Sequence, residues 1–357
     1  MQAIAQDVAI SPAEKAQIDA SSNEYLSTNN IPGMAVGIIR NGKVLYAQGY
    51  GVAMLGGTDS ITTSTTFHMA SISKPFVSIA IMQLREEGKL QLDDQVIKHL
   101  PYFKMADQRF SEMTIKQLLL HTSGIPDVGP SENYNWDKPE YDEEALERFV
   151  RSLETWKLEF KPGKKCRYSN TGYNILGDII AKVSGLSFED YMKQKLLNPV
   201  GMTGSSFYFP EIDSSNIATP HILTNGTTAI SSTYPYNRAH GPSGTLNANV
   251  VDMSKFAICV LNQGKLNDGR IYNEESHNML TTPLVKRNKI VALSLGWEIA
   301  PFRDTSRIDF SGRDVGFNTY LMIVPSENFA IIILINHFDV PPPFKVINTA
   351  YDVALKY

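Results

Sequence analysis

Hydrophobic and polar residues alternate near both ends of the chain, which is the pattern of half-buried β-strands. Residues 33–51 alternate on either side of Asn41-Gly42, a dipeptide that favours a tight hairpin turn, so two antiparallel strands are predicted there. Further strands are predicted over residues 290–300, 317–325 and 329–337. The turn residues at 325–328 separate the last two. Both ends of the chain therefore contribute strands.

The middle of the chain and its two extremities carry helical patterns instead. The stretch from Phe76 to Leu84 is apolar on nearly every side, which predicts a buried helix. Ser11 and Pro12 suit the start of an opening helix, and Thr114 and Gln117 have the spacing of a capping box. The predicted helices cover residues 11–29, 71–88, 114–124, 171–185, 187–202 and 344–357.

This order of elements predicts an α+β fold. One antiparallel sheet, flanked by the N- and C-terminal helices, is built from both ends of the chain, and a mainly helical domain is inserted between them. The predicted boundaries assign residues 1–75 and 235–357 to the sheet domain and residues 76–234 to the helical domain. An active site is expected in the cleft where the two domains meet.

Composition excludes several classes of function. Hydrophobic residues make up 43% of the chain and charged residues 20%, with a net charge of −4, so no basic excess indicates a nucleic-acid partner. The longest apolar run, residues 329–335, is far shorter than the about 20 residues that span a bilayer, so no integral membrane segment is predicted. Cys166 and Cys259 make neither a disulfide framework nor a metal site, and we expect no metal.

The compartment and the oligomeric state stay open at this level. No secretory signal peptide is visible at the start, and a processed chain would also lack one. We expect a periplasmic or secreted protein rather than a cytoplasmic one. No feature of the sequence fixes the number of subunits.

Ser71 and Lys74 are three residues apart at the entrance of the apolar helix, so they lie on one helical face. A serine hydroxyl becomes a good nucleophile when a base removes its proton, and a lysine with a pKa of about 7 to 8 can be that base. Desolvation lowers a lysine pKa in this way, and the backbone N–H of Ser71 can hold an oxyanion. The spacing also fits a structural interpretation, in which Ser71 only caps the helix and Lys74 extends to solvent.

A second cluster of polar residues, Tyr168-Ser169-Asn170, precedes another predicted helix. A phenol beside the serine can relay its proton to a leaving group, and the Asn170 amide can hold a substrate carbonyl or orient Lys74. By itself, Tyr168 also fits a half-buried aromatic residue.

Ser311 and Gly312 are predicted at the end of a loop that enters a strand. The edge of a strand beside Ser71 would offer a second oxyanion N–H, which we assign to Arg313. Ser311, Gly312 and Arg313 are therefore candidate oxyanion and substrate-binding residues.

The motifs "SISK" at residues 71–74 and "YSN" at residues 168–170 stand in the order and separation typical of one superfamily. Together with "LLLHTSGIPD" and "GPSGTLNANVVDMSKF", they resemble the serine β-lactamases and penicillin-binding proteins. The resemblance is greatest to the branch that holds class C β-lactamases, D-aminopeptidases and family VIII-type esterases. It extends from about Gly33 to His337, nearly the whole chain.

The resemblance implies an acyl-enzyme mechanism without a cofactor. Ser71 attacks a carbonyl, Lys74 and Tyr168 move the protons, and the backbone N–H groups of Ser71 and Arg313 stabilise the oxyanion. Either Lys74 or Tyr168 is the general base; the sequence does not decide between them.

One position departs from the superfamily pattern. The third motif usually opens with lysine or histidine, and the alignment of "FSG" puts Phe310 there. That cation helps to bind a substrate carboxylate, which phenylalanine cannot do. The departure favours neutral ester or amide substrates over β-lactams, with Arg313 as a possible displaced cation.

Two histidines, His121 and His240, lie near these motifs. His240 lies in a predicted loop that can line the cleft, either as a substrate contact or as a structural residue. His121 follows a buried helix, but no Gly-x-Ser-x-Gly elbow accompanies it, so we interpret it as a structural hydrogen-bonding residue.

The sequence thus predicts a serine hydrolase that acts on a small ester, peptide or amide, similar to an esterase or a D-amino-acid peptidase. The alternatives are a weak β-lactamase or penicillin-binding protein, which would take a lactam, and a non-hydrolytic ligand-binding homologue in which Phe310 marks lost turnover. Hydrolysis and transfer of the acyl group to another acceptor both stay open.

Overall fold

A computed structural model describes residues 10–127, 134–266 and 269–357. Across these residues the main sheet has eight strands in the order β2-β1-β14-β13-β12-β11-β10-β9. The strands are β1 Gly33–Arg40, β2 Lys43–Gly51, β3 Phe67–His68, β4 His221–Thr224, β5 Thr227–Ile230, β6 Asn247–Ala248, β7 Lys265–Leu266, β8 Gly269–Arg270, β9 Val285–Lys286, β10 Ala292–Leu293, β11 Glu298–Phe302, β12 Thr305–Asp314, β13 Phe317–Val324 and β14 Phe329–Ile335.

The described chain also contains twelve α-helices. The α-helices are α1 Pro12–Thr28, α2 Ser73–Glu86, α3 Val96–His99, α4 Ile115–Leu119, α5 Ala145–Ser152, α6 Asn170–Ser184, α7 Phe188–Met192, α8 Asn198–Val200, α9 Gly241–Gly244, α10 Val250–Leu261, α11 Glu274–Thr281 and α12 Phe344–Ala354. A π-helical turn, Lys193–Leu197, joins α7 to α8.

The first and last strands of the chain lie side by side inside the sheet, next to the edge strand β2. β1 pairs with β14 antiparallel, with Met34 opposite Ile335 and Arg40 opposite Phe329. β1 also pairs with β2 through a turn at Asn41-Gly42, where both residues have positive φ (52° and 72°), as a hairpin turn of this kind requires. The predicted antiparallel sheet built from both chain ends is confirmed.

Each face of the sheet is covered by a different set of helices. α1 and α12 contribute to the hydrophobic cluster that includes Met34, Ile333 and Ile335. The opposite face shares one cluster with α2, α4, α6 and α10, in which Ile332 and Leu334 are fully buried. Because the central helices and the sheet share this cluster, the two parts are tightly joined; the domain boundaries near residues 75 and 235 stay a prediction.

The helix caps predicted from residues close together in the sequence are present in the structure. Ser11 caps α1 in a capping box with Glu14, and Thr114 and Gln117 form the predicted box at the start of α4. Gly185 ends α6 in the left-handed conformation (φ 76°).

Three predictions about element bounds were wrong. α4 ends at Leu119, well before residue 124. Residues 290–300 do not form one strand, because a bend around Gly296 separates β10 from β11. Ser311 and Gly312 lie inside β12 and not in a loop before it, since the turn comes only after Asp314.

None of the described helices is long and apolar enough to cross a membrane.

We expect Ile332→Ala to lower the free energy of unfolding by about 2–5 kcal/mol, because it removes a fully buried side chain from the face beneath α10. Chemical denaturation followed by circular dichroism measures the change. Ile290→Ala is the matched control: Ile290 is 70% exposed, and its loss should cost less than about 0.5 kcal/mol. Equal costs for the two variants would contradict the packing described above.

Candidate active site

Ser71 lies in a 3₁₀ turn, Ala70–Ile72, that leads directly into α2 at Ser73. Ala70 has φ 47°, in the left-handed region that residues with a Cβ seldom adopt, so the chain enters the helix through a strained turn. Lys74 follows in the first turn of α2, and its Nζ lies 3.0 Å from Ser71 Oγ. The structure therefore brings the predicted pair together.

The strained turn is held by the neighbouring strands. Gly312 of β12 packs so closely against it that an added Cβ would lie 2.1 Å from the Met69 carbonyl oxygen. That same oxygen accepts a hydrogen bond from Thr319 Oγ1 at 3.0 Å, and the Met69 N–H donates to the Leu246 carbonyl at 2.7 Å. A glycine is needed at position 312 so that the strand can approach the nucleophile turn.

The amine of Lys74 is completely buried and surrounded by oxygen atoms. Besides Ser71 Oγ, Nζ contacts Asn170 Oδ1 and the Ser243 carbonyl oxygen, each at 2.6 Å. Both oxygens are uncharged acceptors, so the amine is hydrogen-bonded without a direct ion pair. Burial lowers the pKa of Lys74 to about 7, although the more distant charges of Asp127 and Asp314 oppose this shift.

Helix α9 supplies the carbonyl of Ser243 because it packs unusually close to α6. The ring of Pro242 would lie 1.9 Å from a Cβ added to Gly177, so only glycine fits at that position of α6. Ser243 is held further by its N–H, which donates to Asn174 Oδ1 at 3.2 Å. The acceptor for Lys74 is thus fixed by packing between two helices.

Tyr168 approaches Ser71 from the segment before α6. Its hydroxyl lies 2.7 Å from Ser71 Oγ, and its ring lies 4.9 Å from Lys74 Nζ. Burial raises the pKa of Tyr168 well above its usual value, and the hydrogen bond with Ser71 opposes that shift only in part. Tyr168 therefore remains a neutral phenol at pH 7, able to donate a proton.

His121 supports this tyrosine and does not reach the nucleophile. Its ring packs 4.5 Å from the Tyr168 ring, and its Nδ1 accepts a hydrogen bond from the Ser169 N–H at 3.1 Å. Burial, with the nearby charges of Lys74 and Arg287, lowers the pKa of His121 well below its usual value. Its contacts match the structural interpretation.

Asn170 is the first residue of α6, whose N-cap is Ser169. Its side-chain oxygen faces Lys74, and its side-chain nitrogen donates to Asp127 Oδ2 at 3.2 Å. The backbone N–H of Asn170 donates to the other carboxylate oxygen of Asp127 at 2.7 Å. The Asn170 amide is therefore bound on both sides.

Ser71 and Asn170 open onto a cleft between the sheet and the central helices. Its cavity has a volume of about 30 Å³ and is lined by Ser71, Tyr134, Trp136, Asn170, Ser243, Gly244, Arg313 and Asp314. Much larger cavities lie elsewhere, one beside α10 and one beside α1. The chemistry of the lining residues, and not the cavity volume, marks the small cleft as the site.

The sequence model of the family described as "Beta-lactamase" matches residues 9–356, almost the entire chain. The chain belongs to the beta-lactamase family. This family consists of serine hydrolases, and the resemblance to serine β-lactamases and penicillin-binding proteins is confirmed. The finer placement beside class C enzymes stays a prediction.

Curated relatives agree with this assignment. The chain is 32% identical over 321 residues to "Protein flp" of Staphylococcus aureus (strain COL), and the match covers 90% of this chain and 62% of that protein. It is 28% identical to "Putative penicillin-binding protein PbpX" of Bacillus subtilis (strain 168), with 78% and 65% of the two chains covered. The chain therefore spans less than two thirds of the length of these relatives.

Solved structures show the same fold. An octameric penicillin-binding protein homologue from Pyrococcus abyssi superposes with a TM-score of 0.82 at 30% identity, over 96% of this chain and 77% of that one. A penicillin-binding protein from Bacillus halodurans gives a TM-score of 0.80 at 22% identity, over 94% and 99% of the two chains.

The third motif of this beta-lactamase family member offers no side-chain cation to the cleft. Phe310 and Gly312 share the face of β12 that packs towards the nucleophile, and Phe310 is only 5% exposed within the core. Ser311 is on the opposite face, where it lines a separate cavity with Phe344. The structure thus does not bring the Ser311 side chain to Ser71.

Arg313 lines the cleft, but its charge is directed elsewhere. The guanidinium lies 2.8 Å from Asp339 Oδ1 and 4.2 Å above the ring of Phe338. The Arg313 side chain thus does not replace the cation of the third motif beside the nucleophile. Only its backbone N–H, the predicted oxyanion donor, stays a candidate for the site.

His240 is not on the cleft surface. It is 2% exposed, its Nδ1 lies 3.0 Å from Asn174 Nδ2, and its ring packs 4.6 Å from Tyr134 and 6.0 Å from Trp136. The two aromatic rings stand in front of it, which contradicts the expectation that His240 lines the cleft.

Sequence reasoning missed several residues that the structure places at the site. Asp127 ends the motif "LLLHTSGIPD", so its position next to a family motif was the available signal. Asp314 lines the cleft, and its carboxylate lies 3.5 Å from the fully buried His68. Arg287 lies 5.7 Å from the Tyr168 ring centre and pairs with Glu298; nothing in its local sequence indicated this.

We expect one lysine to titrate near pH 7, because Lys74 is desolvated. NMR of protein with ¹³C-labelled lysine side chains measures this directly, and the shifted resonance should be absent from Lys74→Ala. Lys289→Ala, which removes an exposed lysine, should leave that resonance in place. A spectrum in which every lysine titrates above pH 9 would contradict the burial of this amine.

Proposed function

We propose that this protein is a serine hydrolase that forms a covalent acyl-enzyme at Ser71 on a small, uncharged ester, peptide or amide. The observation that carries the proposal is the contact of Ser71 Oγ with two groups of opposite function, Lys74 Nζ at 3.0 Å and the Tyr168 hydroxyl at 2.7 Å. One can accept the serine proton, and the other can donate a proton to the departing group.

Lys74 is our choice for the general base. A neutral amine has two N–H donors and one lone pair. The two short contacts to Asn170 Oδ1 and the Ser243 carbonyl use both donors, so the lone pair is left for the hydroxyl proton of Ser71. With a pKa of about 7, about half of the amines are neutral at physiological pH.

Tyr168 is our choice for the proton relay to the leaving group. Its raised pKa keeps the proton on the phenol, and its 2.7 Å contact with Ser71 Oγ places it where the leaving group departs. In the acylation step, Ser71 Oγ bonds to the carbonyl carbon, the serine proton passes to Lys74, and the leaving group departs with a proton from Tyr168. Transfer of the proton from Lys74 to Tyr168 restores both groups, and attack by water then releases the acid and regenerates Ser71.

The developing oxyanion is assigned to the backbone N–H groups of Ser71 and Arg313. Support comes from the position of β12, which Gly312 allows to lie against the nucleophile turn. Both residues also line the cleft. Backbone donors held this firmly need little reorganisation during the reaction.

The charges around the cleft favour an uncharged substrate. Phe310 replaces the cation of the third motif, and Arg313 is paired with Asp339. Asp314 adds a negative charge to the cleft wall, and the rings of Tyr134 and Trp136 make another wall apolar. A substrate carboxylate would therefore meet the charge of Asp314 without a third-motif cation to balance it.

A penicillin-binding protein with slow turnover is the second candidate, because two of the similar proteins bear that name. In that case a penicillin would acylate Ser71 and remain attached. A non-hydrolytic ligand-binding homologue is the third possibility, and it would form no adduct at all.

We expect a fluorophosphonate to add one covalent group to the wild-type protein, visible as a single mass increase by intact-protein mass spectrometry. Ser71→Ala should show no adduct, and Ser152→Ala, which changes an exposed serine on α5, should react like the wild type. Equal labelling of the wild type and Ser71→Ala would contradict the assignment of the nucleophile. No labelling of the wild type would favour the ligand-binding homologue.

We expect the wild type to hydrolyse a short-chain p-nitrophenyl ester with a kcat/KM roughly tenfold or more above that for nitrocefin, because nitrocefin carries a carboxylate and the cleft offers no partner for it. Ser71→Ala should lose roughly 10³-fold or more of the ester activity. Absorbance assays measure both reactions. Faster turnover of nitrocefin would support a β-lactamase instead, and a stable penicillin adduct without ester turnover would support a penicillin-binding protein.

A further inference from the structure

We infer that Asp127 is a positioning residue of this hydrolase, which fixes the amide of Asn170 and thereby holds the amine of Lys74 against Ser71. The inference rests on the proposed function and adds a residue to it. Asp127 ends the stretch "LLLHTSGIPD" that resembles the family, but the predicted site did not include it.

The geometry is a double contact from one carboxylate to one residue. Asp127 Oδ1 accepts from the backbone N–H of Asn170 at 2.7 Å, and Oδ2 accepts from its side-chain nitrogen at 3.2 Å. With its NH₂ group on the carboxylate, the amide can present only its oxygen to Lys74, where it accepts at 2.6 Å. A flipped amide would put its oxygen against the carboxylate and its NH₂ against the amine, so both contacts would become unfavourable.

This orientation matters for the chemistry of Lys74. The Asn170 oxygen is one of the two acceptors that hold the amine while its lone pair faces Ser71. Without Asp127, Asn170 loses both carboxylate contacts and keeps the Tyr134 hydroxyl as a side-chain partner, so its oxygen is held less firmly against the amine. The chain of contacts Asp127–Asn170–Lys74–Ser71 thus connects a carboxylate outside the SISK and YSN motifs to the nucleophile.

The carboxylate also acts through its charge. Among the described residues, the titratable groups around the Lys74 amine include the rings of Tyr168 and Tyr173, at 4.9 and 5.6 Å, while His121, Asp127 and Asp314 interact with it electrostatically. His121 is held neutral and both tyrosines keep their protons, so the aspartates are the charges that oppose the desolvation of Lys74.

The sign of the resulting pH effect follows directly. Asp127 raises the pKa of Lys74, so its removal lowers that pKa further. If neutral Lys74 is the base, activity falls as pH drops through its pKa, and the midpoint of this fall moves to lower pH in a variant without the charge. Neutralisation of one charge at this range shifts the midpoint by roughly one pH unit.

A purely structural role makes a different prediction. Asp127 also accepts a backbone N–H at the start of α6, so its loss would loosen the helix terminus and lower Tm. Such a role would reduce the amount of folded protein without any move of the pH midpoint. The midpoint and a double-mutant cycle therefore separate positioning from folding.

The experiment measures kcat/KM for a p-nitrophenyl ester from pH 5 to pH 9 in the wild type, Asp127→Asn and Asp127→Ala. We expect a loss of roughly tenfold or more at pH 7.5 in both variants, with the acid midpoint roughly one pH unit lower. Asp304→Asn, which removes an exposed carboxylate in the turn before β12, should match the wild type in both respects.

The second arm combines Asp127→Ala with Asn170→Ala. If Asp127 acts through Asn170, the double variant should be no slower than Asn170→Ala alone, within about twofold. Multiplicative losses, or an unchanged acid midpoint in both Asp127 variants, would overturn the inference. If a variant folds poorly, lysine NMR at low temperature still reports whether the pKa of Lys74 has moved down.

Failure of the proposed function looks different. In that case the wild type itself shows no fluorophosphonate adduct and no ester turnover. A wild type that reacts normally beside Asp127 variants with normal rates and midpoints refutes only the role of Asp127.

Discussion

The burial of one amine is the constraint on which the rest of this structure depends. Moving the pKa of Lys74 from its usual value to about 7 corresponds to a bias of roughly 5 kcal/mol against its charged form. That bias exists only while the amine is kept from water, and α2 can keep it so because its residues from Ser73 to Met82 are all buried. Two uncharged oxygens satisfy the amine's donors without restoring the charge. Under the proposed function, the reactivity of Ser71 thus depends on the core packing that keeps Lys74 from water.

The architecture supplies this burial by joining distant parts of the chain. β1 and β14 bring the two chain ends together as neighbouring strands of the sheet, and β12 is placed by its pairing with β13. Gly312 then meets the nucleophile turn on one side, and Gly177 lets α9 meet α6 on the other. These two close approaches fix the turn that carries Ser71 and the carbonyl that holds Lys74. Both approaches depend on the absence of a single side chain.

How far the sequence predicts this molecule depends on the range of each interaction. The cap at Ser11, the turn at Asn41 and the end of α6 at Gly185 were predictable because near neighbours determine them. Ser71 and Lys74 are also local, whereas the approach of Tyr168 came from the family resemblance. The carbonyl of Ser243 has no sequence signature, since every residue has a carbonyl. Gly312 was misplaced because glycine suggests a loop, and here it marks a close contact inside a strand.

The charges around the cleft affect how the product of the proposed reaction would leave. Hydrolysis of an uncharged ester creates a carboxylate, and the cleft that releases it contains Asp314, with Asp127 behind Asn170. Arg313 and Arg287, which lie near the site, are paired with Asp339 and Glu298. Under the proposed function, these charges leave the binding of a neutral substrate unaffected but repel the anionic product. In that case the replacement of a cation by Phe310 weakens the binding of anionic ligands and assists the departure of an acid product.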